Sequence, residues 1–568
     1  MFPLFFFVQP PRIATMSSGR LEIIFSSTDM RRDIDVPPSQ ADVPLTSHLT
    51  AIGRDLNMRC GGRGLCTGCR VRFQSGVLRH IADGSVVTTS GETEIAACQH
   101  AVVPGETACV LVPATSQLGH AAQIVDEFKT RVPVAHAPLF APPAIAAAID
   151  IGTTTVAVLL ADVESGRIVG RASALNRQTT LGDNVVTRIN HCMADKAMIA
   201  GLQKLILRET ILPLLKSACQ DAGLALPQLA GLVIAGNTVM LHLLAGIDPT
   251  PMGTVPFTPA FLDHRRFSAA DLHLTGLFSP DLEIHLLPGL SAYVGADINA
   301  GILATGMHYE DGPNLLIDIG TNGEIVLKIG NRLFGCATAA GPAFEGSGLT
   351  WGMRAVHGAI SEIEFTEAPS RFRLGRINAD AGGPCPGICG SAYIDFLGQG
   401  ARHGLLTASG RFSADLVADR PELIQTIDGQ RIFVLLQPDE GRKNPIGISE
   451  LDISRLLQAK AAIAAGFSTL LEIEGLKPSD IRKLYLAGGF GLHLNVPNAI
   501  ACGLLPGFTP EQVEVVGNTS LAGAYMTLQD RGVLDELRLN RDRIEIVELN
   551  LDPSFEDRYI ENLLLEVD

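Results

Sequence analysis

One short pattern occurs twice in this 568-residue chain and constrains it more than anything else. Ala148-Ile149-Asp150-Ile151-Gly152-Thr153-Thr154-Thr155 returns as Leu316-Ile317-Asp318-Ile319-Gly320-Thr321-Asn322-Gly323. Each copy reads as an apolar strand with Asp near its end, turned by Gly-Thr into a second strand. The copies lie too far apart for a solenoid repeat. They predict a duplicated domain whose halves face each other across a cleft. Around them strand-like runs alternate with amphipathic helical segments. Two of these are 202–218, with a kink expected at Pro213, and 453–473. That alternation belongs to an α/β domain with a substantial sheet.

The chemistry of such a loop is anion binding. Gly and Thr amides and Thr hydroxyls suit phosphate oxygens. The Asp can hold Mg²⁺ through water or orient an attacking water. Two facing loops would clamp a triphosphate. A third element, Leu484-Tyr485-Leu486-Ala487-Gly488-Gly489-Phe490-Gly491, runs an apolar strand into Gly-Gly, which permits close approach of a flat base or sugar. No G-x-x-x-x-G-K-[ST] loop and no strand-linked G-x-G-x-x-G fingerprint accompanies them.

A second chemistry lies nearer the start. Cys60-x5-Cys66-x2-Cys69-x28-Cys98 resembles the plant-type spacing for a [2Fe–2S] cluster, with one extra residue in the first gap. Gly61, Gly62, Gly64 and Gly68 would let the backbone approach the bridging sulfides. A four-thiolate zinc site is the alternative, but zinc ribbons show two short-spaced pairs and here only Cys66 and Cys69 form one. The surrounding residues 20–113 carry strand-like runs at 21–25, 71–73 and 108–112 and a helix at 45–52. This region resembles a β-grasp ferredoxin of the vertebrate-type and bacterial subclass. Of the other thiols, Cys109, Cys192, Cys219, Cys336 and Cys502 read as small apolar residues. Cys385 and Cys389 read as part of a tight Gly/Pro loop, not a second redox site.

The two Asp loops followed by Leu486-Ala-Gly-Gly-Phe-Gly resemble the phosphate-1, phosphate-2 and adenosine motifs of one superfamily. It unites acetate and sugar kinases, heat-shock chaperone ATPases and actin. Further segments narrow the likeness: Ala235-Gly-Asn-Thr-Val-Met, the run 288–297, Ala340-Gly-Pro-Ala-Phe-Glu-Gly and Ile388-Cys-Gly-Ser. With a ferredoxin in front, residues 20–568 are similar to the reductive activators of corrinoid proteins. The resemblance implies ATP-dependent reduction of an inactive Co(II) corrinoid protein to Co(I) in a methyltransferase system. The cofactors it implies are a [2Fe–2S] cluster, ATP and Mg²⁺. Beside the corrinoid client it implies an electron donor protein or reductant, and a homodimer through the ATPase domain. Asp318 is then expected to orient or activate water, with Asp150 on the metal side. Gly152, Thr153, Thr154, Gly320, Thr321, Asn322 and Gly323 would contact phosphates, and Gly488 and Gly489 would flank the adenosine. Cys60, Cys66, Cys69 and Cys98 would ligate the cluster. Glu324 is either a Mg²⁺ helper or an exposed strand residue. Glu345 faces either the cleft or the client. His242 reads as a satisfied core histidine. Competing readings are a low-potential electron donor to another enzyme, a small-molecule kinase with a ferredoxin sensor, and a ferredoxin on a degenerate nucleotide scaffold.

Composition narrows the partners. The net charge is −16, which opposes binding to nucleic-acid phosphates or to an anionic membrane. No run reaches the ~18 uncharged apolar residues of a membrane span. The opening MFPLFFFVQPPRIATM is a poor signal peptide, and Met16 is the expected start. Eleven cysteines in a long chain speak for reduced thiols and a cytoplasmic setting. The expected organisation is a disordered or mis-assigned start (1–19), a ferredoxin domain (20–113), a linker (114–145) and an ATPase domain (146–568). The fold class is α/β, with an α+β domain in front. The segment 405–450 is polar and carries no assignment.

Overall fold

A computed structural model describes residues 17–566 except 26–29, 53, 55, 57–68, 90, 114–115, 117–127, 129–136, 183, 368–370, 379–384, 428, 439–443 and 492–493. The described residues up to 116 form one compact unit and those from 128 onward form another. Met16 and most of the expected linker fall outside the described residues.

The first unit is a sheet of seven strands: β1 Gly19–Phe25, β2 Met30–Val36, β3 Arg70–His80, β4 Val86–Thr88, β5 Thr93–Ala96, β6 His100–Val102 and β7 Thr107–Val112. The order is β2-β1-β7-β3-β4, with β5 and β6 also pairing with β3. β1 alternates, burying Leu21, Ile23 and Phe25. It pairs antiparallel with β2 and parallel with the last strand, β7. The helix Leu45–Ala51 adds Leu45 and Leu49 to the same core. A leading hairpin, a helix and a terminal strand parallel to the first make the expected β-grasp. The sequence reading found β1, β7 and part of β3. It missed β2, whose residues Arg31, Arg32, Asp33 and Asp35 hide the period of an edge strand.

The second unit is built twice over. Its first sheet holds β8 Ile145–Ile151, β9 Thr155–Asp162, β10 Ile168–Leu175, β11 Leu229–Gly236, β12 Arg265–Ser268 and β13 Glu283–Leu286, in the order β10-β9-β8-β11-β13-β12. The second begins with β14 Asn314–Ile319, β15 Gly323–Ile329 and β16 Arg332–Thr338. Two small sheets follow: β17 Ile360–Glu367 with β18 Arg371–Arg376, and β19 Ile424–Ile427 with β20 Gln430–Leu436 and β21 Ile446–Ser449. β22 Lys483–Ala487, β23 Val513–Gly517 and β24 Ile544–Ile546 complete the second large sheet, ordered β23-β22-β14-β15-β16-β24. In both sheets the Asp-bearing strand, β8 or β14, pairs antiparallel with the next strand and parallel with one from far downstream. Thus Asp150 lies beside Ala235, and Asp318 beside Ala487, each just before a glycine.

Two helices join the halves. Ala296–Thr305 precedes the second sheet, and Thr519–Gln529 follows β23 of that sheet. Yet Leu521, Ala522, Ala524, Met526 and Leu528 are buried in the core of the first half, with Ile149, Val158 and Leu232. The helices cross at glycines. A Cβ on Gly523 would stand 2.5 Å from the Ala300 Cβ, and one on Gly301 would stand 2.8 Å from the Thr519 hydroxyl.

Some expectations change. The helix read across 202–218 is two helices, Ala197–Ile206 and Leu212–Asp221, joined by one wide turn, Leu207–Ile211. Pro213 has no N–H to donate back and its ring crowds the preceding turn, which accounts for the wider turn just before it. The unassigned segment 405–450 carries β19, β20 and the helix Ala414–Asp419. The helix Glu450–Ile473 starts at a Ser449–Asp452 capping box. It is the one described helix long and apolar enough to cross a membrane, and 78% of that stretch is buried inside the fold.

Candidate functional site

In the first unit, the Ala97 amide donates to the Cys69 carbonyl at 3.1 Å, which sets Cys69 and Cys98 on adjoining backbone. Both thiols are buried, and the Gln99 amide approaches the Cys98 sulfur at 3.6 Å. Cys60 and Cys66, with Gly61, Gly62, Gly64 and Gly68, lie outside the described residues. The two described positions fit a cluster: sulfur donors, shielded from water, on neighbouring rungs.

In the second unit, the ends of β8, β14 and β22 open onto one cavity of about 220 Å³. Asp150, Gly152, Thr153 and Thr154 line it from the first half. Asp318, Gly320, Thr321 and Asn322 line it from the second, and Gly488 and Gly489 close it. Gly323 is not on the wall. It opens β15, where a Cβ would meet the Thr338 hydroxyl at 2.7 Å and Ile463 at 2.9 Å, so its part is packing. Each loop is a tight return: Gly152 N–H donates to Thr155 O and Gly320 N–H to Asn322 O, both at 2.9 Å. The loops touch through the Thr154 and Thr321 hydroxyls, 3.0 Å apart. Gly488 has φ +92, and a Cβ there would stand 2.6 Å from both an Asp318 carboxylate oxygen and the Ile319 carbonyl. Only glycine fits that position.

Five carboxylates line the cavity: Asp150, Asp297, Asp318, Glu324 and Glu345. The first four lie near enough for their charges to repel, and Glu324 is buried outright. Burial, then Asp297 and Asp150, push the Asp318 carboxyl up to about 8. Burial and Asp150 push Asp297 up to about 7. Glu324 is raised well above the usual range by burial, Asp297 and Asp318. Asp150 is also raised by burial, but it is partly compensated by two donors. The Ser520 hydroxyl reaches one oxygen at 2.6 Å and the Asn518 amide the other at 2.8 Å. Among the described residues no three His, Cys, Asp or Glu side chains form a ready-made metal cage. Magnesium does not need one, because it takes one or two carboxylates and fills its shell with water and phosphate oxygens. The hard-oxygen donors and their unrelieved repulsion fit that ion.

Glu324 is therefore buried, at 7% exposure, and the exposed alternative falls: β15 is interior, so its wall-facing residue has no route to solvent. Glu345 lies in the cleft. It accepts the Thr321 hydroxyl at 2.9 Å and pairs with Arg354 at 3.7 Å. The far end of the cavity is less polar, with Phe344 and Phe490 stacked at 5.1 Å, Met353, and Cys389 at the start of the helix Gly390–Arg402. Cys385 and Cys389 are both buried, and burial pushes the Cys389 thiol up to about 12. Cys109, Cys192, Cys219, Cys336 and Cys502 are likewise buried and free. His242 is a satisfied core residue. It bonds the Thr238 carbonyl at 2.8 Å, accepts the Ala260 amide at 3.0 Å and stacks on Phe261.

The sequence reading missed Asp297, Asn518, Ser520 and Arg354. A signal existed for part of this. Gly-Asn-Thr occurs at 236–238 and again at 517–519, each ending a strand, with the Asn capping the next helix.

The middle region of RACo matches residues 145–310, and the C-terminal domain of RACo, the ASKHA domain, matches residues 312–568. Corrinoid activation enzyme RamQ of Eubacterium limosum is 31% identical over 434 residues, 74% of this chain and 70% of that one. The Co(II) methylated amine-specific corrinoid protein reductase of Methanosarcina barkeri is 26% identical over 407 residues, 69% of this chain and 71% of that one. A solved reductive activator for corrinoid, iron-sulfur protein is 29% identical with a TM-score of 0.68, covering 96% of this chain and 98% of its own.

Proposed function

The chain belongs to the RACo family of corrinoid-activating proteins, and from that premise we propose that it uses ATP to return a Co(II) corrinoid protein to Co(I) by delivering one electron. The observation that carries the reading is the cavity in which two Asp-Gly-Thr loops face each other beside a Gly-Gly turn. Cys60, Cys66, Cys69 and Cys98 would hold a [2Fe–2S] cluster, which supplies a one-electron centre. Asp150, steadied by Asn518 and Ser520, is the residue that would face Mg²⁺, through water or directly. The amides of both loops and the hydroxyls of Thr153 and Thr154 hold the phosphates. Asp318 carries its proton in the nucleotide-free protein at neutral pH. Mg²⁺, where bound, would supply positive charge that offsets this repulsion, and Asp318 in its ionised form can accept a hydrogen bond from the attacking water. Asp297 and Glu324 line the same wall, held toward their protonated forms by burial and by their neighbours.

The nucleotide matters because Co(II)/Co(I) couples lie very low. For a one-electron step a tenfold change in equilibrium is about 59 mV, so a coupling of a few kcal/mol moves the balance by ~100–200 mV. An electron donor protein or reductant reloads the first unit. A homodimer through the ATPase domain and a reducing cytoplasm complete the proposal.

The test is anaerobic visible spectroscopy of a Co(II) corrinoid protein mixed with the reduced protein, with and without Mg-ATP. The Co(I) band should grow only with Mg-ATP. An intact cluster spectrum with no Co(I) under either condition would refute the corrinoid client.

A further inference from the structure

The first phosphate loop is tied down from beneath by a buried polar cluster. Asn176 and Gln178, both 0% exposed, sit where β10 turns into the short helix Arg177–Thr180. Arg188, also 0% exposed, lies on the helix Val185–Ala194. The Asn176 side-chain amide donates to the Gly152 carbonyl at 2.9 Å. The Arg188 guanidinium donates to the Thr153 carbonyl. The Asn176 backbone amide donates to the Thr154 carbonyl at 2.8 Å. Three consecutive carbonyls of the loop are thus drawn toward the interior. The guanidinium is itself braced, donating to the Gly182 carbonyl and to the Gln178 side chain, both at 3.0 Å. Gln178 in turn donates to the Leu202 carbonyl at 2.9 Å.

A trans peptide is planar, and its C=O and N–H point to opposite sides. Fixing the Gly152 and Thr153 carbonyls inward therefore turns the Thr153 and Thr154 amides outward, toward the side on which both residues line the cavity. Successive outward amides form an anion-binding concavity. The Arg188 charge stands one hydrogen bond behind them. The second loop is built differently. Its Thr321 hydroxyl is spent on Glu345, and its wall carries Asp318 and Glu324.

We infer that Asn176 and Arg188 are positioning residues that pre-set residues 152–154 as an amide cradle for the polyphosphate chain of a nucleotide. The inference rests on the nucleotide reading of this cavity and deepens it. The two residues touch no ligand; they act through the loop.

The full-length protein, Arg188→Lys and Asn176→Ser are compared by equilibrium binding of Mg-ATP and of adenosine. Each variant should lose about ten- to hundredfold in Mg-ATP affinity, with adenosine affinity unchanged. A general loosening would weaken both ligands together, and that result overturns the inference, as does unchanged Mg-ATP affinity. Should either substitution prevent folding, the wild-type protein decides. Inorganic tripolyphosphate should slow hydrogen exchange at the Thr153 and Thr154 amides, and no slowing there overturns the inference. If wild-type protein binds adenosine no more weakly than Mg-ATP, the nucleotide reading itself has failed, a different result from the failure of the cradle.

Discussion

Asp318 sits among carboxylates that repel it, and that has a consequence for stability. Its folded pKa, about 8, lies above the ~4 of an unfolded Asp. Between those values the native state binds more protons than the unfolded chain, so its stability falls as pH rises. Asn imitates the protonated form. Asp318→Asn should therefore raise the thermal midpoint of the nucleotide-free protein at pH 8.5, by roughly 2–4 °C, and leave it nearly unchanged at pH 4. The same variant should lose ATP turnover and keep the visible spectrum of the first unit. Equal midpoints for variant and wild type at pH 8.5 would contradict the burial argument. Asp150 and Asp318 were legible because an Asp-x-Gly-Thr turn names its own chemistry. Asn518 and Ser520 were not, because a hydrogen bond between residues 368 or 370 positions apart leaves no local pattern. Gly323 shows the complementary difficulty. It stands inside the motif, but its missing side chain serves Ile463 and Thr338 behind the wall.

At the scale of elements, the crossing of Ala296–Thr305 with Thr519–Gln529 is the feature most open to test. Gly523→Ala would put a Cβ 2.5 Å from that of Ala300 and 2.8 Å from its Cα, so the helices must separate. Overpacking of this kind costs about 1–3 kcal/mol. Because one helix carries Ser520 onto Asp150 and the other carries Asp297, ATP turnover should fall more than stability alone explains. Steady-state turnover measured well below the unfolding temperature checks this, and full activity would mean that the crossing can slip without disturbing the carboxylates. The strands that flank the two Asp loops could be read directly, since they are continuous apolar runs. The hairpin β17–β18 and the sheet β19–β21 could not. Their residues, as in Glu362, Glu364, Arg371 and Arg373 along the hairpin, alternate charge with apolar groups, a pattern that a search for continuous apolar runs passes over.

For the molecule as a whole, the described residues fall into two compact units, and the two proposed chemistries should be separable by mutation. Cys66→Ser should abolish cluster assembly and Co(I) formation while leaving Mg-ATP affinity unchanged, measured by calorimetry on the anaerobically purified variant. Loss of nucleotide binding in that variant would show that the first unit is needed to form the cavity. The pairing of a thiolate loop with two Asp loops was the most legible property of the chain, because each motif is local and their order along the chain is visible. How the duplicated halves share their parts was not visible, because that sharing is non-local. The helix Thr519–Gln529 lies late in the chain, yet its apolar side belongs to the core of β8, β9 and β11. A growing polypeptide displays Asp150 long before Asn518 and Ser520 exist to hold it. The first half therefore leaves the ribosome before the side chains that brace Asp150 exist, and the wall of the cavity is complete only after residues 518–520 have been made.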